Sequence, residues 1–151
     1  MRIPEILFRI LNPMMRMTLH SPAHFTFSDS VLLIKYKGRK TGKSFEIPVR
    51  YVEKDGVIKC YTDKRAGWWP NLKDNSDVVL RLRGRDVRCS TKVLTGDAEN
   101  LKNELQEYLS KFPGDAVYHD VRLDSKGNPV ESDIDIRSAV AVVVYATPVE
   151  I

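Results

Sequence analysis

Cysteine is scarce in this sequence: Cys60 and Cys89 stand alone in 151 residues, with no Cys-x-x-Cys pair. Each falls inside a strand-like run and reads as a small buried thiol. A structural metal site needs about four ligands at local spacings. With His20, His24 and His119 scattered along the chain, none is visible, and no metal is expected. Long apolar runs are also missing. The longest, Ala139 to Ala146, is too short to span a bilayer. Arg2, Glu5, Arg9 and Arg16 interrupt the opening residues, so no signal peptide is expected and the expected location is the cytoplasm. No Gly-x-x-x-x-Gly-Lys loop leads into a helix, and no serine, histidine and acid follow a recognisable triad order. That last absence suits chemistry carried by a cofactor, such as hydride transfer, which needs no protein nucleophile.

What remains is an ordinary globular composition, 42% hydrophobic and 29% charged, at a length that suits one domain. The net charge of +4 hides an uneven distribution. Residues 35 to 92 hold 16 Lys/Arg against 7 Asp/Glu, whereas residues 97 to 137 hold 5 against 10. A basic half favours a negatively charged partner, be it cofactor, nucleic acid or membrane surface.

The spacing of Ile3, Ile6, Leu7, Ile10, Leu11, Met14 and Met15 predicts an amphipathic helix over residues 3 to 19, interrupted at Pro13. Residues 1–30 therefore read as a helix and lead-in, and 31–151 as the main domain. The helix packs on the barrel or a partner subunit; peripheral membrane contact through its apolar face is the alternative. From Val31 the pattern turns to strands: Val31 to Lys37, Phe45 to Glu53, Val57 to Thr62, Val78 to Arg83 and Val87 to Leu94. Asp97 caps a helix with Leu101, Leu105, Tyr108, Leu109 and Phe112 on one face, ending near Pro113-Gly114. After a polar loop, Asp124 to Pro129, the Val/Ala-rich run Ser138 to Thr147 suits a strand covered on both faces. The expected fold is a mainly β, six-stranded antiparallel split barrel with an N-terminal helix and inserted helices.

Three clusters stand out. In Gly38-Arg39-Lys40-Thr41-Gly42-Lys43, two glycines permit a tight bend that brings three cations and a hydroxyl to one tip. Backbone donors and an arginine fork suit a phosphate there, against the plainer reading of a solvated turn. Lys64-Arg65-Ala66-Gly67-Trp68-Trp69-Pro70-Asn71-Leu72 follows the third strand. Adjacent indoles on a short helix point about 100° apart, so one is expected in the core near Leu72 and the other along a groove. Arg81, Arg83, Arg85 and Arg88 form the third set, with Arg81 and Arg83 expected on the outward face of one strand.

The combination of Gly-Arg-Lys-Thr-Gly-Lys, Ile47-Pro48-Val49, Asp55-Gly56 and Trp68-Trp69-Pro70-Asn71-Leu72 resembles the deazaflavin (F420)-dependent nitroreductase family. These are split β-barrel flavin and deazaflavin oxidoreductases. The likeness runs from about residue 31 to 95, with a looser match through Phe112-Pro113-Gly114 and the last strand. It implies F420 in a groove on the barrel, with FMN or FAD as the alternative. By position, Arg39, Lys40 and Thr41, with Gly42 and Lys43, would hold the phosphate, and Lys64 would meet its side. Ile47, Pro48 and Val49 would line the ring, while Trp68, Trp69 and Asn71 would border the pocket. The resemblance also implies a homodimer that reduces an electron-poor small molecule: a quinone, nitro compound or enone. Three departures accompany it. The loop before Trp68 is short, Phe45 replaces a basic residue, and Asp115 takes the place of a tyrosine. Tyr118 keeps a neighbouring aromatic position and is the candidate proton donor.

Two other uses suit such a barrel less well. A non-catalytic binder would store a cofactor or bind nucleic acid by charge and stacking, but the repeated surface aromatics of a strand-binding platform are lacking, and no nucleic acid is expected. A haem-oxygenase-like or fatty-acid-binding barrel would rest on the three histidines.

Overall fold

The structure, a computed structural model, describes residues 31–149 together with Met17 and His20; of Tyr118 it describes the backbone alone. The helix expected over residues 3 to 19 lies outside the described residues, Met17 apart. Six strands form a closed antiparallel barrel: β1 (Val31–Lys37), β2 (Ser44–Lys54), β3 (Val57–Asp63), β4 (Asn75–Leu82), β5 (Arg85–Thr95) and β6 (Ala141–Pro148). Their order around the barrel is β1-β2-β3-β6-β5-β4, so the last strand closes the gap between β3 and β5. Helix α1 (Ala98–Lys111), a 3-10 helix (Pro113–His119) and helix α2 (Glu131–Ser138) lie between β5 and β6.

Strand alternation sorts the apolar residues into two cores. Leu32, Ile34, Tyr51, Ile58, Leu80, Val144 and Ala146 fill the barrel, while Val52, Tyr61, Ala141 and Val143 pack outward beneath Leu101, Leu105 and Leu109 of α1. Strand β6 is thus covered on both faces, as its unbroken Val/Ala run suggests. Asp97 accepts a hydrogen bond from the Asn100 N–H at 3.2 Å and starts α1 where expected. Cys60 and Cys89 are both buried and free, and burial pushes both thiols up, Cys89 to about 11. They are inert packing residues.

Three expectations are corrected. The last strand begins at Ala141 rather than Ser138, because residues 131–138 form α2, with Glu131 and Asp133 in its first turn. Strand β4 begins at Asn75, three residues early, since an irregularity between Asn75 and Val78 keeps it paired to β5. Arg83 does not share a strand face with Arg81. It sits in a two-residue hairpin turn with Gly84 (φ 46° and 78°), the left-handed pair that a tight hairpin requires. From there its guanidinium reaches Glu53 at 2.9 Å and the Tyr51 hydroxyl at 3.2 Å.

His119 is buried at the end of the Pro113–His119 segment, edge-on to Tyr108 at 5.5 Å. Burial lowers its pKa from the ordinary 6.5 by penalising the imidazolium. The unfolded chain therefore takes up this proton first as pH falls. The stabilisation is complete above pH 6.5 and is lost on acidification below it. The thermal midpoint should fall from pH 7.5 to pH 5 less steeply in His119→Gln than in the natural protein. Identical slopes would remove His119 from the account.

Candidate active site

The β1–β2 bend is closed by its own backbone. The Gly38 N–H donates to the Lys43 carbonyl at 2.7 Å and the Gly42 N–H to the Gly38 carbonyl at 2.8 Å. Gly42 takes φ 69°, and a Cβ on Gly38 would lie 3.0 Å from Phe45 Cε2, so both glycines serve the tight bend. Phe45 stacks on Tyr36 at 5.4 Å, which accounts for an aromatic residue at that position. Arg39, Lys40, Thr41 and Lys43 are exposed at the tip, and the Lys43 N–H donates to Thr41 Oγ1 at 3.3 Å.

The tryptophan segment lies against this bend. Trp69–Leu72 is a 3-10 turn with Pro70 in its first positions. The link is Asn71: its Oδ1 accepts the Arg39 backbone N–H at 2.9 Å, while its Nδ2 donates to the carbonyls of Trp68 (3.1 Å) and Gly67 (3.4 Å). Below it, Leu72 is fully buried, and its carbonyl accepts the Thr91 hydroxyl at 2.6 Å. Trp68 and Trp69 do not divide into one core and one groove residue. Both are half-buried and both pack against the barrel core. Trp69 Nε1 is a buried donor without a partner among the described residues, and Lys73 Nζ lies 5.2 Å from its ring centroid.

Between these parts the barrel is split. Strand β2 pairs with β1 along Ser44–Arg50, but with β3 only from Tyr51 to Lys54. Beyond Cys60, β3 pairs with β6 alone among the described strands. Residues 44–50 of β2 therefore present one edge that is unpaired among the described strands, and such an edge carries outward N–H and C=O groups. Ile47, Pro48 and Val49 lie half-buried on it. The Asp63–Gly67 turn after β3 is held by Arg65 to Asp63 at 2.6 Å and by Arg137 to Asp63 and Asp120 at 3.7 and 3.8 Å. Lys64 is in this turn, its side chain exposed and its N–H bonded to the Val140 carbonyl. The phosphate-type bend is thus tied to the tryptophan segment by Asn71 and leads directly into the unpaired β2 edge. Tyr118 belongs to the Pro113–His119 segment, and its side chain lies outside the described residues.

Sequence reasoning missed one charged pair where the β2–β3 ladder begins. Arg50 is the last β2 residue before the ladder to β3 begins. Its Nε donates to Asp115 Oδ2 at 2.7 Å and its Nη2 to Oδ1 at 3.1 Å, and the guanidinium carbon lies 4.6 Å from the Phe112 ring centroid. The Tyr108 hydroxyl donates to Asp115 as well, at 2.5 Å. The replacement of a tyrosine by Asp115 was the signal available; its partner, 65 residues away, was not.

These features fit a cofactor with a phosphate and a flat heteroaromatic ring: exposed cations at the bend, with half-buried apolar residues and an open strand edge beside it. Among the described residues no group of three or more His, Cys, Asp or Glu is placed to hold a metal. A closed six-stranded antiparallel barrel of this kind is the split-barrel fold. The family model for F420H(2)-dependent quinone reductase matches residues 8–121, and the chain belongs to that family. It is accordingly an F420-dependent reductase. No curated protein matches it. Among solved structures, one described as an F420 reductase matches with TM-score 0.53 and 12% identity over 89% of this chain and 93% of that one. A Clostridium acetobutylicum protein of the pyridoxinephosphate oxidase family matches with TM-score 0.53 and 13% identity, over 87% and 84%. A structure described as a domain-swapped dimer matches with TM-score 0.50 and 18% identity, over 77% and 79%. At these identities the structural likeness concerns the fold.

Proposed function

We propose that the protein reduces an electron-poor small molecule, a quinone, nitro compound or enone, with F420H2 bound in the β2 groove. The observation that carries this reading is the Asn71 bridge, which ties the basic bend to the tryptophan segment and makes one site of two distant motifs. Bound F420H2 supplies a hydride. Arg39, Lys40 and Thr41, with Gly42 and Lys43, hold the phosphate, and Lys64 adds charge from the turn after β3. Ile47, Pro48 and Val49 support the ring, with Trp68, Trp69 and Asn71 bordering it and excluding water. Tyr118 is the proposed proton donor to the reduced acceptor. A homodimer is proposed with this reading, supported by the family resemblance.

Titration with F420, FMN and FAD, followed by tryptophan fluorescence, should give saturable quenching strongest with F420. Oxidation of F420H2 by a quinone should then depend on the protein. Absence of saturable binding by any of the three would end the proposal. Asn71→Ala removes the acceptor of the Arg39 N–H and the donor to Trp68. With net hydrogen bonds worth about 1 kcal/mol each, F420 affinity should fall roughly five- to thirtyfold while the fold persists. An unchanged dissociation constant would refute the role given to the bridge.

A further inference from the structure

The Arg50–Asp115 pair is more than a staple between β2 and the Pro113–His119 segment. A guanidinium has two useful edges. Asp115 occupies the edge made by Nε and Nη2, and both carboxylate oxygens are used in doing so. Tyr108 takes a further share of Oδ2 from the buried side. Both bonds to Asp115 leave Nη1 on the other edge of the fork. The Arg50 side chain is 34% exposed whereas that of Asp115 is 9%, so the pair turns its cationic side outward and its anionic side inward. Its position is specific. Arg50 directly follows Ile47–Val49 on β2, shares a strand face with Pro48, and is joined through Asp115 to the segment that carries Tyr118.

Resting on the F420H2 reading above, we infer that Arg50 is the substrate-contacting donor that stabilises negative charge on the acceptor's oxygen, which selects carbonyl acceptors such as quinones and enones. When a hydride with its electron pair adds to such an acceptor, one C=O π pair moves onto oxygen. The resulting oxyanion is met by the Nη1 donors and then takes a proton from the proposed donor Tyr118, which solvent reprotonates, to become a hydroxyl. The cofactor is oxidised, the acceptor is reduced, and no further reductant is needed. Asp115, Tyr108 and Phe112 are positioning residues: they hold the fork before the charge develops, so little reorganisation accompanies the reaction. Burial lowers the Arg50 pKa and Asp115 more than restores it, so the guanidinium is charged throughout the working range. Burial pushes the Tyr108 hydroxyl up, and it remains a donor to Asp115.

The test compares the natural protein, Arg50→Met and Arg50→Lys, each loaded with oxidised F420 and titrated with 4-nitrophenol, whose phenolate is coloured. The natural protein should favour the bound phenolate, lowering the phenol's apparent pKa. Arg50→Met should lose that shift, and Arg50→Lys should keep part of it. In turnover with a quinone, kcat/KM should fall about ten- to a hundredfold in Arg50→Met, chiefly through kcat, with the F420 dissociation constant unchanged. If Arg50→Met binds F420 normally, ionises the phenol normally and reduces the quinone at the natural rate, Arg50 is only a staple and the inference is overturned. Should Arg50→Met fail to fold, natural pKa shift and kcat in Arg50→Lys overturn it equally, because the short point charge of lysine cannot replace the held fork. Failure of the natural protein to bind F420 overturns the underlying reading instead, and is seen before any variant is compared.

Discussion

Replacing Arg39 and Lys40 together by alanine is expected to abolish saturable F420 binding at concentrations that saturate the natural protein. Charge-assisted hydrogen bonds contribute about 1.5–3 kcal/mol each, so the pair accounts for roughly two to four orders of magnitude in affinity. Both side chains are exposed and make no ion pair with a described residue, so their removal leaves the barrel intact. The bend itself is closed by backbone bonds from Gly38 and Gly42. Isothermal titration with a thermal melt alongside checks both halves. A double variant that binds as tightly as the natural protein would move the anion site elsewhere.

The second large effect concerns stability and reaches the same groove from below. Leu72 is fully buried under the tryptophan turn, in the barrel core with Leu80 and Val78. Leu72→Ala should cost about 2–5 kcal/mol through lost burial and the cavity left behind. For a domain of this size the thermal midpoint should drop by roughly 5–15 °C. Because Leu72 follows Asn71 directly, the loosened turn should also weaken F420 binding below the melting transition. A midpoint within 2 °C of the natural protein's, an estimate well under the usual cavity cost, would mean that the turn relaxes into the space.

Much of the fold was legible because its signals are local. The alternation in β1 and β2, the Asp97 cap with its apolar helix face, and the Asp55-Gly56 turn each depend on residues within a few positions of one another. Errors fell where neighbours from elsewhere decided the outcome. Helix α2 was hidden beside a polar loop and a Val/Ala run, and its two buried residues, Ile134 and Ser138, gave too few periods to show a helix. Arg83 was placed by strand alternation, whereas the hairpin turned it to Tyr51 and Glu53, 32 and 30 residues away. Helical angle alone would separate the two indoles, whereas both pack against the barrel core.

By itself, the order of residues determined the kind of site: a glycine-bracketed cluster of cations and an indole-rich turn need no tertiary partner to be recognised, since charge, bend and ring are properties of contiguous residues. Tertiary structure alone decided that the two lie together, through an Asn71–Arg39 hydrogen bond spanning 32 positions. It also decided where the β2–β3 ladder stops and which acid meets Arg50. The physical reason is the same in each case. Hydrogen bonds and ion pairs act over about 3 Å, and only the closing of the barrel brings residues far apart in the chain within that reach.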